Sequence, residues 1–387
     1  MLYTNRKVLA GILGAFGALA LAVGCGSSSS GGSGGGAGSG GSGGGGEVTP
    51  PCTDCTVPPS APANGVAGDG SGTILAVDKL YLGDTTWDGT QSLDAWKDFG
   101  YDLDGIKSTL KTTNHCKLQE GANAANVKTD GNGGIDNSFG ANILPIIVNL
   151  AADASTKINE NIASGAFTII LKIDGIGGGT NYIDLPASLY AGAQLSDADG
   201  NPLTPKWDGT DKWPVYCELM AQCLDTGTPQ MDAGNTSKVQ FAKSYVAGGT
   251  WVSGSKGNVN LSLSVQGYSL SLTIHEAQLT AQLDAGNPPT SATHGIIAGI
   301  LDTEELINSL QSVAGNISTS FCAGSSTFDS IAQQIRAASD IMNDGTQDST
   351  KTCNGISIGL GFDMKAVQLG KVNDKTPPGP DPCAADH

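Results

Sequence analysis

Asp130-Gly-Asn132-Gly-Gly134-Ile-Asp136-Asn137 sets oxygen-bearing side chains at alternate positions of a glycine-rich loop. Hard divalent cations are held by oxygens spaced in this way, so Asp130, Asn132 and Asp136 are the expected Ca2+ ligands. The loop is no EF-hand, because it lacks Asp-Gly at its fifth and sixth positions and a bidentate Glu at the twelfth. Asp197, Asp199 and Asn201 in SDADGNP repeat the theme more weakly. Asp, Asn and Gly are also the ordinary turn formers of a β-rich chain, so both segments admit a purely structural reading.

Nine cysteines offer a second chemistry, at 25, 52, 55, 116, 217, 223, 322, 353 and 383. Cys52-Thr-Asp-Cys55 is a CxxC. Pro50, Pro51, Pro58 and Pro59 surround it, where a reactive thiolate wants a helix N-terminus, and no second CxxC completes a zinc site. A structural disulfide is the better expectation. Cys322 and Cys353 bracket a helical segment and are expected to pair, while Cys217 and Cys223 are spaced to close a short loop. The remaining pairings stay open.

Catalytic constellations are not assembled by the sequence. His275-Glu276 begins HExxH but lacks the second His, and two SxxK matches, at Ser108 and Ser253, have no KTG or SDN beside them. Asp and Glu are abundant enough for a glycosidase pair, yet nothing selects one. WDGT occurs at 87–90 and 207–210 with Trp96 and Trp213 nearby. Trp beside Asp can stack and bond a sugar, which makes carbohydrate a minor candidate partner; most Trp residues in a large domain serve packing.

Charge narrows the partners further. Twenty Lys and Arg against 37 Asp and Glu give a net charge of −17. That surface repels phosphate backbones, so nucleic acid is excluded as a partner. Arg6 and Lys7 precede the apolar run Val8–Gly24, the arrangement of a secretion signal. The run is too short to span a bilayer comfortably. It ends in Leu21-Ala22-Val23-Gly24-Cys25, which resembles the bacterial lipobox, with Ala22 where that motif prefers Leu. The resemblance implies cleavage of residues 1–24 and lipidation of Cys25, the chain's membrane partner. Cysteine parity agrees, since removing Cys25 leaves an even number for disulfides. Gly26 in place of Asp favours the outer membrane by the same resemblance. Residues 25–72 are expected to be the lipid anchor and a disordered linker, Gly/Ser-rich over 26–46 with no apolar surface to bury and then Pro-rich.

The elements that must position these residues begin at Thr73. Thr73–Leu82 reads as a strand, and Pro145 opens a helix over about 145–163. Phe167–Ile173 is a strand. Val259–Asp284 alternates apolar and polar side chains with phase slips at Gln266-Gly267, a hairpin turn, and at His275-Glu276, a β-bulge. His294–Leu301 is a strand, Asp302 and Glu305 start a helix like a capping box, and a further helix covers 327–344 with Gly345 as its C-cap. Ile356–Met364 alternates again. The expected class is α+β, a mostly antiparallel sheet or sandwich with about three packed helices, spanning residues 73–374. The stretch 224–238 can divide it into two lobes, and 375–387 is a loose tail.

Lys79-Leu-Tyr-Leu-Gly-Asp84, Trp96-Lys-Asp-Phe-Gly-Tyr101, Asn114-His-Cys116 and Gly134–Gly140 together resemble exported lipoproteins of myxobacteria. Ser244-Tyr-Val, Thr250–Gly257 and Phe328–Arg336 extend the resemblance over most of 73–370. It implies localisation and a shared fold and carries no activity. The reading that follows is a non-catalytic, surface-exposed lipoprotein, a binding or structural module stabilised by Ca2+. The alternative is a surface hydrolase of polysaccharide or peptidoglycan. Intact-mass spectrometry of the membrane-extracted protein is expected to find an acylated Cys25 as the first residue; a mature chain beginning at Val23 contradicts the anchor.

Overall fold

Alternating side chains commit a strand to two faces, and in this protein the sheet built from such strands closes on itself. A computed structural model describes residues 47–150, 154–223, 236–265, 268–317 and 324–373. Eleven strands are present among them: β1 (Thr73–Tyr81), β2 (Thr168–Ile173), β3 (Tyr182–Gly192), β4 (Lys212–Val215), β5 (Val239–Ala247), β6 (Thr250–Val252), β7 (Gly257–Val265), β8 (Tyr268–Leu283), β9 (Ser291–Asp302), β10 (Gly355–Ala366) and β11 (Gln368–Val372). Around the closed circuit the order is β3-β2-β1-β10-β9-β8-β6-β5, and β5 returns to pair with β3. Every neighbouring pair in that circuit is antiparallel. The antiparallel β expectation therefore holds, but as a closed eight-stranded barrel with added strands instead of an open sheet or sandwich. Closure removes the edges that an open sheet would leave unpaired.

All eight strands contribute to one buried cluster, including Leu75, Leu171, Leu185, Phe241, Trp251, Leu279, Ile297 and Ile358. A cluster fed from every stave of a closed barrel is its interior. The opposite faces of β1, β2 and β3 present Ala76, Ile170 and Tyr190 to an outer layer built by Trp213 on β4 and Val372 on β11, a parallel pair. Elsewhere on the outside, Tyr81, Ile296 and Ala298 are covered by the loop carrying Trp87 and Phe99.

The bulge expected at His275-Glu276 is present. The β8–β9 register shifts between His275 and Gln278, and Glu276 has φ 50°. That step lets β8 pair with β7 along its first half, β6 along its second, and β9 from Ile274 to Leu283. Gln266 and Gly267, the expected hairpin turn, lie outside the described residues; Val265 pairs with Tyr268.

Five α-helices occur among the described residues: α1 (Ala124–Val127), α2 (Leu144–Leu150), α3 (Ala154–Ala163), α4 (Thr303–Ile317) and α5 (Ser326–Ala337). The helix expected over 145–163 is thus described as two, with a π-type turn at Phe139–Ile143 before them. Ile158, Ile162, Leu306, Ile307, Phe328 and Ile335 join the barrel's interior cluster. Asn159 on α3 brackets Leu80, accepting from its N–H and donating to its carbonyl, beside the β1 bulge. Asp302 caps α4 by accepting from the Glu304 and Glu305 N–H groups. The Glu305 carboxylate does not return to complete a capping box; it meets His275 Nε2 at 2.7 Å. α5 ends at Ala337, well before the expected 344, because Ser339 and Asp340 turn inward to bond other elements. Gly345, with φ 79°, serves the turn beyond. Strands on either side of 224–235 pair with each other, β3 with β5, within one compact unit.

Truncating Leu75 to Ala at the barrel's centre is expected to cost about 2–5 kcal/mol in guanidinium unfolding. Truncating Leu93, which is 92 % exposed, is expected to change stability by no more than about 0.5 kcal/mol. Equal effects of the two would contradict the assignment of the interior.

Candidate metal centre

Three separate segments deliver aspartates to one place, and local hydrogen bonds explain how each is aimed. In the first, Asp102 accepts from the Gly105 N–H at 2.7 Å and Asp104 from the Ile106 N–H at 2.9 Å. Such self-bonding is what makes Asp a turn former. In the second, Asp130 accepts from the Ser108 N–H at 2.5 Å and Asp136 from the Leu103 N–H at 2.7 Å. The carboxylates of the second loop therefore hold the backbone of the first. The third is Asp340, released where α5 stops, which accepts from both the N–H and the hydroxyl of Ser357 on β10.

Asp136, Asn137 and Ser138 each fasten a different partner. Asn137 accepts from the Gly359 N–H and donates to the Phe99 and Gly359 carbonyls, tying the loop to the barrel wall. Ser138 donates to the Ala338 carbonyl at the end of α5. Asp136 is left facing the other acids. One carboxylate oxygen from each of Asp102, Asp104 and Asp136 lies within 4.8 Å of the others. Asp136 is 5 % exposed and Asp340 6 %, while Asp102, Asp104 and Asp130 are half-buried. None of the five makes an ion pair among the described residues. A cavity of about 10 Å³, space for one water-sized sphere, lies among Trp96, Asp130, Asp136 and Asp340. A sugar ring does not fit there.

The electrostatics follow from burial and crowding. Desolvation, then repulsion from Asp104, pushes Asp130 up to about 9. Asp136 rises well above the ordinary carboxylate range, by burial first and then by Asp104, Asp130 and Asp340. Burial lifts Asp340 to about 7 against the pull of its Ser357 bonds, and Asp104 to about 6. Asp102 is also raised by burial. Carboxylates that resist ionisation next to one another become stable anions when a cation stands between them.

Of the ligands expected from sequence, Asp130 and Asp136 belong to this cluster. Asn132 is turned elsewhere, its amide donating to Asp98 Oδ1 at 2.7 Å. Asp102 and Asp104 stand with Asp136 in its place. Their Asp-Leu-Asp-Gly spacing was the available signal, and sequence alone reads it as a turn. The SDADGNP loop satisfies itself: Asp197 accepts from Asp199, from Asn201 and from the Asn201 amide. Both WDGT segments are likewise turns, in which Asp88 accepts from Thr90 and Asp208 from Thr210. Trp87 packs against Tyr81, Phe99 and His294, and Trp213 is fully buried, so it offers no face to a sugar.

Three disulfides occur among the described residues. Cys217–Cys223 closes its short loop as expected. Cys52–Cys55 joins the CxxC. The expected Cys322–Cys353 pair is corrected: Cys353 bonds Cys116. The reason is local, since Cys353 N–H donates to the Lys117 carbonyl and Lys117 N–H to the Lys351 carbonyl, setting the two cysteines side by side. Cys322, Cys383 and the lipidation candidate Cys25 lie outside the described residues. The Cys116–Cys353 bridge also steadies the acids. Gln347 accepts from the Cys116 N–H and donates to Asp104 Oδ2 at 2.8 Å and to the Asp340 carbonyl at 3.0 Å.

No protein-family model, no curated protein and no solved structure matches this chain.

A carboxyl group whose folded pKa is raised favours the folded state below its unfolded value near 3.8 and loses that contribution as pH climbs through the folded value. In chelator, the melting temperature is therefore expected to fall between pH 4 and pH 9, the span set by Asp104, Asp340 and Asp130. A metal-free melting temperature that climbs across that span would contradict the crowding.

Proposed function

We propose that the chain is an exported, lipid-anchored, non-catalytic module whose barrel is stabilised by a divalent cation. Asp102, Asp104 and Asp136 hold the ion, with Asp130 alongside. The carrying observation is that these carboxylates gather, partly or wholly buried, with no basic side chain paired to them among the described residues. Ca2+ is the cation that suits them. It accepts six to eight oxygens in irregular geometry, whereas Mg2+ demands a near-ideal octahedron. Asp340, with both oxygens bonded to Ser357, stands behind the site as a further acid.

The anchor rests on the sequence: Arg6 and Lys7, the apolar run, Cys25 and the Gly/Ser linker. By composition the Gly/Ser linker is a spacer between Cys25 and the barrel. That holds a rigid module clear of the membrane surface, where a cation available outside the cell can reach it.

Thermal unfolding tests the ion. Saturating Ca2+, at a hundred times its dissociation constant, contributes about 2.7 kcal/mol. A rise of roughly 5 °C over the chelated protein is therefore expected. Asp136→Asn should remove the response, while Asp197→Asn in the self-bonded exposed turn should keep it. Identical melting of the wild type in Ca2+ and in chelator overturns the reading.

A further inference from the structure

Residues 47–56, expected from sequence as part of a disordered linker, are instead a strap that holds every loop carrying an acid of the cluster except that of Asp340, and the strap holds a disulfide. Its grip on the first acid loop is made of the Cys52 N–H donating to the Gly105 carbonyl at 2.7 Å and the Asp102 N–H donating to the Thr56 carbonyl at 2.9 Å. Pro51 and Ile106 form an antiparallel bridge beside the first of these contacts. Its grip on the second loop is the Thr56 N–H donating to the Gly133 carbonyl at 2.8 Å. The side chains close the remaining gap. A Cβ on Gly134 would stand 2.5 Å from Cys55 Sγ, and one on Gly133 would collide with Thr56 Oγ1. Both glycines also have left-handed backbones, φ 65° and 77°, so the Gly-Gly pair answers the turn and the strap at once.

The disulfide lies at the centre of these contacts. Cys52 Sγ and Cys55 Sγ are within 4.8 Å of an Asp102 carboxylate oxygen, and both cysteines are half-buried, with part of their surface open to solvent. The bridge bends the strap so that the N–H of residue 52 and both backbone groups of residue 56 meet both acid loops. No other described segment bonds the backbone of both.

We propose that the Cys52–Cys55 disulfide is a latch on the cation site: closed, it holds the two acid loops at ligating distance, and opened by a dithiol reductant it weakens cation binding. This inference rests on the cation reading above. Opening is ordinary thiol–disulfide exchange. A donor thiolate attacks one cysteine sulfur, breaking the Cys52–Cys55 bond and forming a mixed disulfide. The donor's second thiolate then displaces the protein sulfur, leaving two protein thiols and an oxidised donor. The freed strap leaves the loops joined by their own bonds alone, Asp130 to Ser108 and Asp136 to Leu103 and Tyr101, and an ion must supply the ordering the strap gave. Residues that support ligands in this way change metal affinity by about 10–100-fold.

Isothermal titration of the full chain with CaCl2 tests the latch, comparing wild type with Cys52→Ser/Cys55→Ser. The double variant leaves Cys116–Cys353 and Cys217–Cys223 intact, which a reductant would not. Its dissociation constant for Ca2+ is expected to rise by about tenfold or more. Hydrogen exchange in the absence of Ca2+ should show faster exchange at the Cys52, Thr56 and Asp102 amides, with barrel amides unchanged as proof that the variant folds. Equal Ca2+ affinity in the two proteins, or unchanged exchange at those amides, overturns the latch. A wild type that takes up no Ca2+ overturns the cation reading instead.

Discussion

Like charges at close range resist being brought together, and in this protein five aspartates are brought together. At an effective dielectric of about 20, two unit charges 4 Å apart repel by about 4 kcal/mol. Protons on the acids or a cation between them must relieve that cost, and the raised pKa values of Asp104, Asp130, Asp136 and Asp340 are the proton solution to it. Covalent and hydrogen-bonded fastenings around the cluster are arranged as though to withstand the same repulsion. Cys116–Cys353 and Gln347 hold one side, the strap holds another, and Asn137 and Ser138 pin the loop between them to β10 and α5.

The barrel supplies the rigid reference for all of this. Its staves meet in a closed antiparallel circuit, so β10 cannot slide without breaking pairs on both of its sides. Ser357 and Gly359, on that strand, receive Asp340 and Asn137. The acids are thus located by a central strand, although every one of them sits on a turn or a helix end. Functional groups on loops that a rigid scaffold positions are the common arrangement in proteins.

Much of the scaffold was legible in the residues. Apolar runs marked β1, β2 and β9, period-two alternation marked β7, β8 and β10, and the slip at His275-Glu276 located a true bulge. What sequence left out were β3, β4, β5, β6 and β11. β3 carries Pro186 and a half-polar pattern, while β4 and β6 are too short for periodicity to register. Without β3 meeting β5, closure is invisible, and an open sheet or sandwich is the natural expectation. The end of α5 was missed for a related reason. Its apolar stripe continues through Ala338, Ile341 and Met342, and only the long-range bonds of Ser339 and Asp340 stop the helix. At the site, spacing within one loop pointed to Asp130 and Asp136 but could not show that Asp102 and Asp104, nearly 30 positions earlier, fold onto them. The Cys116–Cys353 bridge spans 237 residues and no local rule anticipates it.

Terbium luminescence tests the central claim most directly, because Tb3+ takes Ca2+-type oxygen ligands and is excited by a nearby indole. Trp96 lines the cavity beside Asp130, Asp136 and Asp340. Titrating the full chain with Tb3+ under tryptophan excitation should give emission that saturates at one equivalent, is competed away by Ca2+ and is lost in Trp96→Phe. Emission that never saturates, or that persists in Asp136→Asn, would mean the aspartates hold protons alone and no metal.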